Sequence, residues 1–246
     1  MYEKLKNILP NEDYIYFGDL KNSPYGQKSK ETLIDLTFDI FNFFKLENVK
    51  AVVMACNTTS ANVYEEYQNK YDYTLYPIIQ SSAEIIAKLP IKKLGVFATS
   101  ATISSGAYKR EINKYNPDIE VFQMSCPGWV QIVENNKQND TLCQELIKEN
   151  LEKMLQNNPD KIVLGCTHYP FLLDVLAKFA PRDMFIDPAE YFANYIKEDL
   201  QKQNLLNDNG GNETFYVSAN QKEFKIAAKM FYELKDLPKL IEFTTV

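Results

Sequence analysis

The sequence predicts an α/β protein built from two doubly wound parallel-sheet lobes that are related by pseudo-symmetry. Short apolar runs alternate with amphipathic helical stretches, which is typical of a parallel sheet covered by helices on both faces. The same order of strands and helices occurs in both halves of the chain, whose 246 residues suffice for one large or two small domains. We expect residues 1–80 and 187–246 to form the first lobe and residues 81–186 the second, with the functional site between them.

The first block of elements begins with a helical stretch over Tyr2–Leu9, and a strand follows at Tyr14–Phe17. A helix is predicted from about Lys30 to Leu46, because apolar residues recur there at helical spacing and Ser29 can cap its first turn. The same patterns predict the rest of this block: a strand over Ala51–Ala55, a helix through Tyr64 and a weaker strand near Leu75–Ile79.

The second block repeats this plan. Its predicted elements are a strand over Leu94–Ala98, a helix over Thr102–Tyr115, a strand over Ile119–Met124, a helix from Asp140 or Thr141, and a strand over Ile162–Leu164. The helix that begins at Asp140 or Thr141 is expected to bury one apolar face, formed by Leu142, Leu146, Ile147, Leu151, Met154 and Leu155. After a surface loop at residues 207–212, a strand over Thr214–Ser218 and a helix from about Gln221 to Leu234 indicate that the chain returns to the first lobe.

The composition excludes several classes of function. The net charge of −6 argues against nucleic acid as a partner, since binding to phosphates requires a basic face. No apolar run approaches the roughly 18 residues of a membrane-spanning helix. The first residues lack the apolar core of a secretory signal, so we expect a cytoplasmic protein with no membrane partner. One histidine and four separate cysteines argue against a zinc site.

Two segments of the chain share an unusual pattern around a cysteine. Val52–Thr58 and Ile162–His168 each consist of a short apolar run, a small residue, a cysteine and two polar residues. Because open α/β sheets bind ligands at the carboxyl ends of their strands, we expect Cys56 and Cys166 to face one pocket. Each is expected at the start of a helix, where the backbone N–H groups would lower the thiol pKa from about 8.5 toward neutrality.

A thiolate on one side of a bound substrate and a thiol on the other would form a base and an acid. Cofactor-free inversion at an amino-acid α-carbon would need such a pair. Asn57, Thr58 and Thr167 can hold a carboxylate without adding a competing charge. His168, the only histidine, can stabilise the Cys166 thiolate or accept its proton.

Two other interpretations of the cysteines remain open. A single cysteine that closes an apolar strand is most often a small buried hydrophobic residue, and we keep this interpretation for Cys126 and Cys143. A thiol redox protein would instead join Cys56 to Cys166 in a disulfide. The matched surroundings of these two cysteines, with the only histidine beside one of them, favour the acid–base pair.

The chain resembles the glutamate racemases of the aspartate/glutamate racemase superfamily over nearly its whole length. The resemblance rests mainly on Ala55–Ala61 and Leu164–Pro170, which together are highly specific. It continues in shorter matches at Gly18-Asp19, Ser23-Pro24-Tyr25-Gly26, Gly95–Thr99 and Thr102-Ile103.

This resemblance implies cofactor-independent racemisation of L-glutamate to D-glutamate by two thiols. The product would serve peptidoglycan synthesis, and with it cell wall biogenesis and cell shape. The implied catalytic residues are Cys56, Cys166 and His168, with Glu134 near the second thiol. No metal or cofactor is expected, and a homodimer is implied. The implied substrate-binding residues are Tyr25, Gly26, Asn57, Thr58, Thr102, Thr167 and His168.

One part of the family pattern has no match in this sequence. The family begins with a strand that ends in an Asp-Ser pair and a glycine-rich turn, whereas this sequence enters the pattern at the helix before Leu9-Pro10. We therefore expect Cys56 to lack an assisting aspartate, the substrate to lack one contact, and the sheet to lack one strand. Trp129 is expected to reshape the pocket. These departures support an alternative function, that of a catalytically impaired amino-acid-binding paralogue.

Overall fold

The computed structural model describes residues 1–243. Its strands are β1 (Tyr14–Gly18), β2 (Ala51–Met54), β3 (Thr74–Pro77), β4 (Lys93–Ala98), β5 (Glu120–Ser125), β6 (Lys161–Gly165), β7 (Phe185–Ile186), β8 (Glu213–Val217) and β9 (Lys239–Leu240). Its α-helices are α1 (Tyr2–Ile8), α2 (Lys30–Leu46), α3 (Asn57–Tyr67), α4 (Ile78–Ala87), α5 (Ser100–Ser105), α6 (Ala107–Tyr115), α7 (Trp129–Glu134), α8 (Thr141–Leu155), α9 (Leu173–Leu176), α10 (Pro188–Lys202) and α11 (Gln221–Ala228). Two short 3-10 helices cover Tyr169–Leu172 and Arg182–Met184.

Every strand pairing in the described part of the chain is parallel, which confirms the predicted α/β class. The strands form a sheet of order β5-β4-β6-β7, a second of order β1-β8-β9, and the pair β2-β3. Because the strands run parallel, the segments that follow β4 and β6 leave their sheet at the same edge. Cys166 lies at that edge.

The C-terminal part of the chain returns to the first lobe, as predicted. Strand β8 pairs with β1 along its whole length, from Tyr14 opposite Glu213 to Gly18 opposite Val217. Helix α4 packs against both α6 and α10, and one buried apolar cluster runs through these helices and onto β4. The lobes therefore share a core, and their division at residues 80/81 and 186/187 stays a prediction.

The predicted bounds of the long helix α2 are confirmed. The side chain of Ser29 accepts a hydrogen bond from the N–H of Thr32 at 3.2 Å, so the helix begins where the capping residue predicts. Leu33 and Phe41 are buried on the face that the apolar spacing indicates.

The predicted helix over Thr102–Tyr115 is wrong in one respect, because it is two helices. Gly106 separates α5 from α6 with a φ of 64°, in the left-handed region that glycine enters without steric cost. The apolar run at Leu75–Ile79 likewise belongs to two elements. Strand β3 ends at Pro77, and Ile78 and Ile79 begin α4.

The predicted apolar face of α8 is too long. Leu142 and Leu146 are 75% and 38% exposed, whereas Ile147, Leu151 and Met154 are buried. The fully buried side chains of the helix therefore begin at Ile147. Other differences are that α11 ends at Ala228 rather than near Leu234, and that the sequence pattern did not identify α4, α7 and α10.

Residues 1–243 contain neither a membrane-spanning helix nor a cluster of metal-ligating side chains. No helix in this range combines the length and the apolar character needed to cross a bilayer. No three or more His, Cys, Asp or Glu side chains in it are grouped so that they could hold a metal ion.

Candidate active site

The two cysteines lie at the carboxyl ends of strands, as the pattern predicts, with Ala55 between β2 and Cys56. Cys56 follows β2, is half-buried and is the N-cap of α3. Its carbonyl accepts the first helical hydrogen bond, from the N–H of Ser60 at 2.9 Å. Its thiol makes no capping hydrogen bond within the described chain, so the first N–H groups of α3 remain free for a ligand. Cys166 follows β6 and is 7% exposed.

The expectation of a lowered thiol pKa at Cys166 is wrong. The pKa of this thiol is raised to about 12, with burial as the largest cause. Hydrogen bonds from the backbone N–H groups of His168 and Tyr169 oppose the shift, while the charges of Cys56 and Glu134 add to it. Cys166 also does not begin an α-helix, since only the short 3-10 helix Tyr169–Leu172 follows it. Burial therefore outweighs the weak field of that turn.

The structure brings the two cysteine segments together. The charge of Cys56 acts on the Cys166 thiol, so the two sulfurs are within electrostatic range of each other. All four cysteines lie in the described part of the chain and are free, so the structure contains no disulfide between Cys56 and Cys166. The arrangement is that of two separate thiols at one site.

His168 lies between the second cysteine and a carboxylate. Its Nδ1 is 3.8 Å from Sγ of Cys166, and its Nε2 is 3.3 Å from Oε1 of Glu134. When the neutral imidazole donates its Nε2–H to Glu134, the lone pair of Nδ1 is left to accept from the thiol. This chain of groups can take a proton from Cys166 and return it.

Three threonine hydroxyls form a cluster between the lobes. Oγ1 of Thr99 is 2.9 Å from Oγ1 of Thr58 and 3.0 Å from Oγ1 of Thr102. The triangle closes with a distance of 3.4 Å between Thr102 and Thr58. Because each hydroxyl both donates and accepts, the cluster can turn a donor toward a ligand carboxylate without adding charge.

The side chain of Asn57 is held at one end only. Its Oδ1 accepts a hydrogen bond from the Tyr108 hydroxyl at 2.6 Å. Its Nδ2 is buried and has no partner among residues 1–243. A buried donor without a partner costs about 1–3 kcal/mol, so a ligand acceptor at Nδ2 would recover that free energy.

The turn that carries Tyr25 and Gly26 is anchored on both sides. The Tyr25 hydroxyl donates to Asp19, whose other oxygen accepts from the Ser218 hydroxyl at 2.7 Å. A side chain at Gly26 would place its Cβ 2.8 Å from the side chain of Thr99, so only glycine permits this approach. The turn is thereby fixed against the threonine cluster.

The side chains of Thr167, Cys126 and Cys143 make no hydrogen bond to the site residues above within the described part of the chain. Thr167 is half-buried between Cys166 and His168, and its side chain has no hydrogen bond within the described residues. Cys126 is buried and Cys143 half-buried, in agreement with the hydrophobic role assigned to them.

Trp129 lies in the core of the second lobe rather than at the surface of the site. It is fully buried and packs edge-on to Tyr169 with ring centroids 4.9 Å apart. Tyr169 directly follows His168. Through Tyr169, Trp129 therefore links the second cysteine segment to the core of the lobe.

Four residues that contact the predicted site were missed by the sequence analysis as functional residues: Asp19, Thr99, Tyr108 and Ser218. Three of them follow directly after β1, β4 and β8, so the rule that sites form at the carboxyl ends of parallel strands could have found them. Tyr108 lies within α6, where no local pattern marks it.

Comparisons with known proteins identify the family of the chain. Residues 1–196 match the Asp/Glu/hydantoin racemase family. A protein from Caldanaerobacter subterraneus subsp. tengcongensis named glutamate racemase 2 is 40% identical over 232 residues, covering 93% of this chain and 86% of its own. A glutamate racemase from Thermoanaerobacter sp. is 37% identical over 231 residues, with the same shares of the two chains.

Solved structures show the same two-lobe fold. The glutamate racemase of Francisella tularensis in complex with D-glutamate superposes with a TM-score of 0.89 at 32% identity, over 99% of this chain and 92% of its own. A glutamate racemase isoform from Bacillus anthracis gives a TM-score of 0.90 at 27% identity over the same shares.

Proposed function

We propose that this protein interconverts L- and D-glutamate with two thiols and no cofactor. The premise is that the chain belongs to the Asp/Glu/hydantoin racemase family of isomerases. One observation supports this mechanism above the others. Cys56 follows β2 and Cys166 follows β6, and the neighbours of both cysteines, Asn57 and Gly165, contact the same side chain, Tyr108. A substrate α-carbon between the two cysteines would have a sulfur on each face.

Substrate binding would use donors that carry no charge of their own. The free N–H groups at the start of α3, the threonine cluster and Nδ2 of Asn57 can all donate to a carboxylate. We assign this role to the residues that the resemblance implies: Tyr25, Gly26, Asn57, Thr58, Thr102, Thr167 and His168. A binding site of this kind leaves the proton chemistry to the two thiols.

The proton transfer follows from the resting state of the second thiol. Burial keeps Cys166 protonated, so it is ready to donate. In one direction, the Cys56 thiolate takes the α-proton, the electron pair stays on the α-carbon, and Cys166 protonates the opposite face. After this turnover Cys56 is a thiol and Cys166 a thiolate, and the opposite reaction restores the first state.

From the resting state, the reverse direction requires Cys166 to lose a proton and Cys56 to gain one from solvent before substrate reacts. His168 is placed to accept the Cys166 proton at Nδ1, and Glu134 stabilises the imidazolium that forms. Burial removes the solvent that would otherwise stabilise the Cys166 thiolate. The His168–Glu134 pair would stabilise it instead. His168 thus belongs to the catalytic set as an acid and base for the thiol.

D-Glutamate produced in this way would serve peptidoglycan synthesis, and through it the cell wall and cell shape. We place the protein in the cytoplasm, where its amino-acid substrate occurs, and propose that it acts as a homodimer.

Racemisation in deuterated water tests the function. We expect both enantiomers of glutamate to gain deuterium at the α-carbon and to reach equal concentrations, as followed by NMR and circular dichroism. Calorimetry with each enantiomer gives the binding constants in parallel. Binding without exchange would identify the impaired paralogue instead. If the protein shows no binding and no exchange, glutamate is not its substrate.

A further inference from the structure

One side chain outside the predicted site contacts both cysteine segments. Tyr108 lies in α6 and is fully buried. Its hydroxyl is 2.6 Å from Oδ1 of Asn57, the residue after Cys56. Its ring lies against Gly165, the residue before Cys166, so closely that a Cβ at Gly165 would be 2.8 Å from Cε2 of Tyr108. The ring therefore spans the distance between the two segments.

The direction of the hydrogen bond is determined by the state of the phenol. Burial is the largest cause that raises the pKa of Tyr108, and the charges of Asp187 and Cys166 act in the same direction. The hydroxyl therefore keeps its hydrogen. The structure gives this hydroxyl one hydrogen-bond partner within residues 1–243, the side chain of Asn57, so the hydrogen must point at Oδ1.

A fixed Oδ1 also fixes Nδ2, because the two atoms occupy opposite sides of the planar amide. Asn57 is 2% exposed, and its Nδ2 has no partner in the described chain. If the amide turned over, Nδ2 would face the Tyr108 hydroxyl and the site would present an acceptor instead of a donor. An acceptor at this place would repel a substrate carboxylate.

We infer that Tyr108 is a positioning residue for the proposed reaction. Its hydroxyl holds the Asn57 amide in the orientation that offers an N–H donor to the substrate carboxylate, while its ring sets the separation of the two cysteine segments. This inference rests on the proposed function for its substrate, but the orientation of the amide can be measured without turnover.

The variant Tyr108→Phe removes the hydroxyl and keeps the ring. We expect the KM for both enantiomers to rise about tenfold, the effect of one lost hydrogen bond, and kcat to stay within about twofold. In the Asn57→Ala background the same change should add nothing, because the group through which Tyr108 acts is gone. Tyr76→Phe is the matched control. It removes another buried tyrosine hydroxyl, which donates to Asp199 at 2.7 Å, and should leave KM unchanged.

The outcomes separate this inference from the proposed function. An unchanged KM in Tyr108→Phe, or an effect that is additive with Asn57→Ala, would overturn the positioning role while the racemase stands. If the wild-type protein shows no turnover, the proposed function fails, and NMR decides the role of Tyr108. The side-chain amide signal of Asn57, assigned by its loss in Asn57→Ala, should shift and broaden in Tyr108→Phe. An unaltered signal would contradict the inference.

Discussion

The two thiols occupy equivalent places in the fold but different physical surroundings. Cys56 is half-buried at the N-cap of the eleven-residue helix α3. The first N–H groups of such a helix stabilise a negative charge at its start. Cys166 is almost fully buried, is followed by a short 3-10 helix, and has a pKa of about 12. The His168 imidazole lies beside the second thiol, and the Glu134 carboxylate lies beside that imidazole.

In the proposed reaction, the two thiolates would be supported in different ways. The N–H groups at the start of α3 and partial contact with solvent would support a Cys56 thiolate. Cys166 is buried, so the His168–Glu134 pair would take that role there. Loss of a group on one side of the site should therefore impair the reaction differently from loss of a group on the other side.

The largest effect is expected from removal of either sulfur. Cys56→Ser and Cys166→Ser should each lower kcat by about 10²- to 10⁴-fold, since a hydroxyl is a poor base at neutral pH. Each variant should still exchange the α-proton of the one enantiomer whose C–H faces the remaining thiol. Deuterium incorporation into the separated enantiomers measures this.

Cys143→Ser is the control for these variants, because Cys143 is a half-buried thiol in α8 that takes no part in the proposed reaction. It should racemise glutamate at the wild-type rate. Equal exchange of both enantiomers by Cys56→Ser and by Cys166→Ser would show that the two sulfurs do not face opposite sides of the substrate.

The second largest effect is expected at the histidine. His168→Gln should lower kcat/KM by about 10²-fold, because Cys166 loses its proton acceptor. The loss must be equal in both directions, since the equilibrium constant of racemisation is one. It should shrink as the pH rises, because hydroxide then removes the proton that His168 accepts in the wild type. A loss that does not change with pH would assign His168 to substrate binding alone.

A smaller effect is expected at Glu134, with opposite consequences for the rate and for the thiol. Glu134→Gln should lower kcat by about tenfold, because the imidazolium loses its counter-charge. Since the charge of Glu134 is one cause of the raised pKa of Cys166, the variant should lower that pKa. The rate of Cys166 alkylation should then begin to rise at a lower pH than in the wild type.

The exposed carboxylate of Glu145 provides the control, because it lies on α8 and has no ion pair within the described residues. Glu145→Gln should change neither kcat nor the pH dependence of alkylation. If the pH dependence in Glu134→Gln also stays unchanged, burial alone accounts for the Cys166 pKa.

Much of this comparison could be predicted from the sequence, but not the difference between the thiols. The strand before each cysteine and the cap of α2 at Ser29 depend on local patterns, and the structure has them where predicted. The pKa of Cys166 depends on how many side chains from distant segments cover it. Local sequence carries no record of that burial, so the helix-start rule predicted the wrong direction.

Long-range contacts account for the other omissions. Tyr108 and Asn57 are 51 positions apart, and Ser218 and Asp19 are 199 apart. Ser218 meets Asp19 because the paired strands β8 and β1 end side by side, whereas Tyr108 reaches Asn57 from helix α6. The lining of the site was therefore partly predictable, whereas the residues that orient that lining were not.

The smallest effect is expected on the Cys56 side, at Thr99. Thr99→Val keeps the shape of the side chain and its contact with Gly26 but removes the hydroxyl between Thr58 and Thr102. KM should rise a few-fold, and the lost cap of α5 should lower the free energy of unfolding by about 1 kcal/mol. Thr99→Ser keeps the hydroxyl and should retain both values. If the serine variant binds glutamate as weakly as the valine variant, the methyl group supports the Cys56 side rather than the hydroxyl cluster.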